Sequence, residues 1–377
     1  MAFSTLVDYW VGKQLQEKQV AYQRKTLLAI SLSVNLGLLA YFKYANFFIE
    51  SFSAAFSFFG APIQPRGLSI ILPVGISFYT FQTLSYSIDV YSRHLKPSDD
   101  LIAFAAYVSF FPQLVAGPIE RAKSLLPQFQ TIRRFDYAKA VLGCRQILWG
   151  LFKKMVVADN CAVWVDLFYN NSESYGGALL FLATCLFAIQ IYCDFSGYSD
   201  IAIGVARLFG FNLMQNFAFP YFSRNIGEFW RRWHISLSTW FRDYLYIPLG
   251  GSRGSINKSI RNVFIIFLVS GLWHGASWNF VLWGGIHALL FIPLLGLKLN
   301  RRFMDKPLSE HGAIAKEVLF IALTFICVCL AWVPFRAVSL EQCFDIYSKL
   351  FTPQFQQLFS IPQKSQLVVL LFFSLFM

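Results

Sequence analysis

Long apolar runs, each closed by a short polar or basic stretch, recur along the chain, and several reach the roughly 20 residues an α-helix needs to cross a bilayer. Lys13, Lys18, Arg24 and Lys25 mark a first cytoplasmic stretch before the run Leu27 to Phe59. That run is longer than one crossing requires, and Lys43 and Glu50 interrupt it, so it predicts a tilted or broken helix. Ala61-Pro62 and Pro65-Arg66-Gly67 predict a turn on the far side. Leu68 to Tyr91 then reads as the return helix, with Arg93, His94 and Lys96 back on the cytoplasmic side. Leu101 to Ala116, about 16 residues, is short for a crossing. Gly117-Pro118 ends it, and Arg121, Lys123, Arg133, Arg134 and Lys139 follow, which reads as a re-entrant or surface segment.

The second half continues the pattern. Val141 to Phe168 contains Lys153 and Lys154, so its first half is expected at the interface, and Tyr169 to Gly177 carries no Lys or Arg, as an outside loop would. Ala178 to Phe209 crosses back to a polar, aromatic region from Pro220 to Arg261. A hairpin follows: Val263 to Trp273, a turn at His274, and Trp278 to Leu297, closed by Lys298, Arg301, Arg302 and Lys306. Val318 to Val333 is the last clear crossing before a terminal run, Leu367 to Phe376. Nothing shows the period-2 alternation of an outer-membrane barrel. The fold expected is all-α, a polytopic membrane helix bundle with re-entrant and interfacial helices. With no repeat and no separable soluble part, residues 1–377 read as one membrane domain. Both ends look abrupt, the last segment reads as incomplete and no secretory signal is present.

Composition agrees. The chain is 56% hydrophobic and 18% aromatic, with 42 Phe residues, and only 14% charged, against about 25% in soluble domains. The net charge of +12 lies in loops between apolar runs, as the positive-inside rule requires, and not in a basic stretch interleaved with stacking aromatics, so nucleic acid is not an expected partner. The seven cysteines form no CxxC pair and no metal spacing; Cys327 and Cys329 read as small hydrophobes. No metal site is expected.

Three constellations carry candidate chemistry. The first is Leu272-Trp273-His274-Gly275 at the hairpin turn. An ionisable group at membrane depth is a functional-site hypothesis by default, and imidazole exchanges protons near neutral pH. Val263 to Trp273 as a helix rises about 16 Å, half of a core near 30 Å, which places His274 near the midplane. Gly275 and Ala276 let the chain turn and a neighbour approach. The competing reading is a Trp–His pair in an interfacial belt. The second is Phe229 to Asp243. Taken as one helix it aligns His234, Ser238 and Arg242 on one side, beside a stripe of Trp230, Trp233, Leu237 and Trp240. Such a segment suits the membrane interface, or a basic aromatic portal for a phosphate-rich cofactor. The third is Gln190 to Asp200 inside an apolar run, where Asp194 is either polar glue between helices or the group that orients a catalytic histidine. Ser196, Asp200 and Gly204 share a face that permits close helix contact.

These stretches resemble the membrane-bound O-acyltransferase family, in the branch of the alginate O-acetylase and its relatives acting on peptidoglycan and bacterial cellulose. RNIGEFWRRWHISLSTWFRDYLYIPLGG from Arg224 to Gly251, SGLWHG from Ser270 to Gly275 and QIYCDFSGYSDIAIG from Gln190 to Gly204 carry the resemblance. FFPQLVAGPIER from Phe110 to Arg121 and LPVGISFYTFQ from Leu72 to Gln82 extend it over nearly the whole chain. The resemblance implies a helix bundle around a central funnel or tunnel, a domain incomplete at both ends, and His274 and His234 as the two active-site histidines. It implies acetyl-CoA as acyl donor and no permanently bound cofactor. Its phosphates are expected to meet Arg231, Arg232 and Arg242, with Trp233 beside them, while Asp194, Trp273 and Ser238 support the site. His274 would act as general base, and His234 would orient the acyl group or donate a hydrogen bond to the developing oxyanion. The implied partners are the lipid bilayer of a bacterial inner membrane and a periplasmic acetyl acceptor or SGNH-like acetyltransferase that passes acetyl to a polysaccharide. A polysaccharide or lipid transporter and a non-catalytic scaffold of an exopolysaccharide complex are the rival functions.

Overall fold

The structure, a computed structural model, describes residues 1–58, 60, 67–303, 314–352, 354–360 and 364–375. The turn expected at Ala61-Pro62 and Pro65-Arg66, and Lys306, lie outside these. Among the described residues there are helices and turns and no β-strand. Four helical stretches are long and apolar enough to cross a membrane: Ala21–Phe58, Gly177–Leu208, Trp278–Gly296 and Ile314–Arg336. Phe48, Leu289, Val318 and Leu323 on them are exposed, a placement that suits hydrocarbon and not water. The all-helical membrane fold expected from the sequence is therefore present.

The chain divides into two compact units, Met1–Gly143 with Val205–Met214, and Cys144–Gly204 with Gln215–Met377. In the first unit, helices α1 (Ala2–Glu17), α2 (Ala21–Leu39), α3 (Ala45–Phe58) and α4 (Ile76–Tyr91) are followed by three shorter ones, α5 (Leu101–Val108), α6 (Phe111–Leu114) and α7 (Ala122–Gln130). The expected interruption around Lys43 is a π-helical turn, Ala40–Tyr44, that joins α2 and α3 without ending the helix. The return helix is shorter than Leu68 to Tyr91: residues 67–75 are not helical, because Pro73 lacks an amide donor and Gly75 takes a left-handed φ of 75° at the N-cap of α4. The run Leu101 to Ala116 is two short helices, broken at Ser109-Phe110. Asp100 caps the first by accepting from the amides of Ile102 and Ala103 at 2.8 and 3.0 Å, and Pro112 fits the first turn of the second.

Buried polar groups tie three helices of this unit together, although the side-chain amides of Gln82 and Gln113 stay without hydrogen-bond partners. Asp8 on α1, fully buried, accepts from Ser31 Oγ at 2.5 Å and from Asn35 Nδ2 at 2.8 Å on α2, and Asn35 Oδ1 accepts from Thr83 Oγ1 on α4 at 2.9 Å. The network fixes the register of the three helices, since each shift by a residue would orphan a buried group. Arg24, one of the basic residues that mark the first polar stretch, is buried and donates to the carbonyls of Leu15 and Tyr91, which satisfies ends that α1 and α4 leave open.

Glu120 gives this unit a pH dependence. Its carboxyl is buried and accepts from the Met214 amide; burial pushes its pKa up from 4.5 to about 7, against the opposing hydrogen bond and the Arg121 charge. The folded state thus retains a proton that the unfolded chain has released. Stability is full below pH 4.5 and falls as pH rises to 7, by roughly 3 kcal/mol. Thermal unfolding in detergent across that window should show the slope, and Glu120→Gln should flatten it.

The second unit holds the rest of α8 (Tyr137–Leu151), then α9 (Asp159–Asn170), most of α10 (Gly177–Leu208), α11 (Ile226–Arg232), α12 (Ile235–Phe241), α13 (Ile256–His274), α14 (Trp278–Gly296), α15 (Ile314–Arg336), α16 (Leu340–Leu350) and α17 (Lys364–Leu375). Gly150 on α8 and Gly197 on α10 let backbones touch, because a Cβ at Gly150 would lie 2.5 Å from the Gly197 carbonyl oxygen. A π-helical turn, Phe152–Ala158, links α8 to α9 and carries both lysines of the expected interfacial half. Lys153 is buried and pairs with Asp200 at 2.7 Å, with Ser196 also in reach at 3.3 Å; the face shared by Ser196 and Asp200 is therefore a lysine receptor.

Helices α13 and α14 form the expected hairpin. Its arms match, at 19 residues each, whereas the apolar pattern gave a first arm starting only at Val263. Asn257, Lys258 and Arg261 hide the first turns of α13 from a hydropathy reading, and Ser255 caps it. His274 thus stands at the end of a helix about 28 Å long, of which the apolar part from Val263 is about 16 Å. Close packing comes from Gly271 and Gly284, where a Cβ would meet the carbonyl oxygens of Phe280 and Phe267 at 2.1 and 2.2 Å.

Candidate active site

The segment from Phe229 to Asp243 is two helices, not the single one expected. Asn225 caps α11 by accepting from the Glu228 amide at 2.8 Å. The helix ends at Arg232, Trp233 is extended, and His234 takes φ 44° and ψ 55°. A neighbouring stretch explains the break. The Ala218 amide donates to the Arg232 carbonyl at 3.0 Å and the Ile235 amide to the Asn216 carbonyl at 2.9 Å, while Asn216 Oδ1 accepts from Ser236 Oγ at 2.8 Å. The interhelical residues lose helical hydrogen bonds and recover others. A left-handed non-glycine residue costs on the order of 1–3 kcal/mol and such outliers cluster at functional sites.

The strained backbone buries the His234 ring completely, against Phe195 at 4.6 Å and Trp273 at 5.9 Å between ring centroids. Neither nitrogen has a hydrogen-bond partner. Burial, and after it the His274 imidazole, hold its pKa well below the usual 6.5, so it is a neutral donor or acceptor. His274, the last residue of α13, is only partly buried. Its ring meets Trp273 and Trp283 at 5.0 Å and Phe335 at 5.3 Å. Gly275 is extended at φ −162°, so the turn itself does not require glycine. The need is steric: a Cβ there would lie 2.1 Å from the Phe280 ring, and that ring is the neighbour the glycine admits.

A cavity of about 210 Å³ lies between α12 and the α13–α14 hairpin, lined by Trp230, Phe241 and Phe267 among the aromatics and by Ser238, Arg242, Ser270 and Arg301 among the polar residues. Ser238 stands one turn after His234 and Ser270 one turn before His274, while neither histidine is itself among the lining residues. Arg242 is largely exposed and held by Asp243 at 2.8 Å. Arg301 was not anticipated, since it reads as one more basic residue of a closing loop.

The other expected residues separate into groups. Arg231 is exposed and donates to the Asn300 carbonyl at 2.9 Å, beside a cavity-lining residue. Arg232 is committed to Glu228 at 2.7 Å, in a buried cluster where Glu228 also takes Arg224 at 3.0 Å and Arg224 reaches Glu317 at 3.3 Å. Trp233 is buried in the aromatic core, stacked on Phe229 at 5.5 Å and packed on Trp332 at 5.1 Å. Trp273 bridges the rings of His234 and His274, and Ser238 donates to the Trp233 carbonyl at 3.2 Å. Asp194 does not orient a histidine: its half-exposed carboxylate pairs with Lys154 at 2.7 Å, and the glue reading stands. Among the described residues no group of His, Cys, Asp and Glu could hold a metal ion. One imidazole escaped the sequence reading: His287 on α14, fully buried, accepts from Trp230 Nε1 at 3.3 Å. The rule that marked His274, an ionisable group inside an apolar run, applies equally to it.

Comparison with known proteins identifies the family. The model of the membrane-bound O-acyltransferase family matches residues 2–333. The chain is 42% identical over 355 residues to the probable alginate O-acetylase AlgI of Pseudomonas aeruginosa, covering 92% of this chain and 65% of that protein. It is 35% identical over 369 residues to the peptidoglycan O-acetyltransferase of Helicobacter pylori, covering 91% and 68%. It is 28% identical over 276 residues to the teichoic acid D-alanyltransferase of Bacillus subtilis, covering 70% and 68%. The chain therefore spans about two thirds of the length of the curated relatives it matches.

Proposed function

The chain belongs to the membrane-bound O-acyltransferase family, and from that premise we propose that it moves an acetyl group from acetyl-CoA to a hydroxyl acceptor, for O-acetylation of an exopolysaccharide or cell-wall polysaccharide at a bacterial inner membrane. The relatives named for alginate and peptidoglycan acetylation support acetyl as the group transferred. The observation that carries the reading is the cavity whose wall includes residues one helical turn from both His234 and His274 and which also holds Arg242 and Arg301. Its apolar wall suits the pantetheine arm, and the two guanidiniums suit CoA phosphates.

The acceptor hydroxyl oxygen attacks the thioester carbonyl carbon while its proton passes to the His274 imidazole. The tetrahedral intermediate collapses with cleavage of the carbon–sulfur bond, and the CoA thiolate leaves and recovers the proton from His274. His234, neutral and fixed by its backbone, orients the acyl group. Trp273, between the two rings, sets their separation. The acceptor is a periplasmic protein, an SGNH-like acetyltransferase among the candidates, that passes acetyl onward.

Membranes containing the protein, incubated with radiolabelled acetyl-CoA and the acceptor fraction, should release free CoA and label the acceptor. A transporter or a scaffold would do neither, and absence of CoA release above that of empty membranes would refute acetyl transfer.

A further inference from the structure

The steps above leave His287 unused. Its Nδ1 accepts the Trp230 indole N–H, and a neutral imidazole whose Nδ1 accepts carries its own proton on Nε2. That Nε2 is buried and has no hydrogen-bond partner. One turn earlier on the same face of α14, Trp283 is fully buried and its Nε1–H likewise has none. The two rings meet edge to face at 4.9 Å, and Trp283 meets the His274 ring in the same way at 5.0 Å. Buried donors are costly to leave unmet, and such a pair calls for an acceptor that the resting protein does not supply. The rings around His287 are Phe229, Trp230, Phe267, Trp283 and Trp332. No charged group is among them, so the fitting acceptor is a neutral oxygen that gains negative charge only in passing.

We propose that His287 Nε2–H and Trp283 Nε1–H donate to the carbonyl oxygen of the acyl group during transfer, opposite the proton removal assigned to His274. The assignment rests on the acyl-transfer reading and adds two residues to it. Trp230 fixes the tautomer: its indole N–H occupies Nδ1, which leaves the proton where the carbonyl needs it. Trp230 also lines the cavity, so one ring joins the donor's pocket to the carbonyl's donors. Preorganised donors of this kind act because charge develops at their target in the transition state.

His287→Phe, which keeps a ring and removes the donor, should lower kcat by about 10²–10³ and leave KM for acetyl-CoA within about twofold. His287→Gln, which keeps an N–H, should recover at least tenfold of that loss. Trp283→Phe should act in the same direction and serves if the first variant does not fold. Carbonyl-¹³C-labelled acetyl-CoA bound to the protein should absorb at lower wavenumber in the infrared than when bound to His287→Phe. A raised KM with unchanged kcat, a glutamine variant as inactive as phenylalanine, or an unmoved infrared band would each overturn the assignment. Bound carbonyl without CoA release would count against the acyl-transfer reading while the band still decides this one; no bound carbonyl in the unsubstituted protein overturns both.

Discussion

His274→Ala should abolish the proposed acetyl transfer, lowering it by at least about 10²–10⁴, the usual contribution of a positioned general base, and should leave the protein inserted and folded. The effect follows from the contrast among three imidazoles. His234 and His287 are completely buried, whereas His274 alone keeps accessible surface, and a base must reach both the acceptor and the solvent-linked proton pool. His274→Gln, which preserves hydrogen bonding but not basicity, should be equally inactive. CoA release from purified protein is the measurement, with thermal unfolding as the control. Near-normal turnover in either variant would remove His274 from the chemistry.

The largest structural effect is expected at Glu228. Glu228→Ala should destabilise the second unit by about 3–5 kcal/mol, the range for removing one partner of a buried ion pair. Glu228 accepts from the backbone amide of Arg224 at 2.7 Å as well as from its guanidinium, and from Arg232. It also sits three residues after the Asn225 cap, where a carboxylate favours the positive end of α11. Without it, Arg224, 4% exposed, loses the carboxylate that meets both its backbone amide and its guanidinium, and Glu317 at 3.3 Å remains an acidic partner. Because α11 leads into His234, activity should fall with stability and not separately from it. A loss under about 1 kcal/mol in denaturation would show that the cluster does not hold the helix.

What the sequence made legible was whatever depends on local pattern. The boundaries of α10 and α14 fall within two residues of the apolar runs, and the turn at His274 is where Gly275 interrupts them. The break between Trp233 and His234 was hidden because its cause, the pairing with Asn216 and Ala218, is made by residues outside the segment's own periodicity. Asp194 misled for a related reason: its partner Lys154 lies on another helix. Arg301 became visible as a site residue only when folding placed it on the wall of the cavity.

The π-helical turn from Phe152 to Ala158 bears on how the chain acquires its orientation. An extra residue per turn lets the adjacent Lys153 and Lys154 both reach α10, at Asp200 and Asp194. Two cations therefore cancel against two anions once the helices meet. A tally of topogenic charge that includes this pair counts electrostatic capital already spent, which leaves the basic residues before it, Arg133, Arg134, Lys139 and Arg145, to carry that signal.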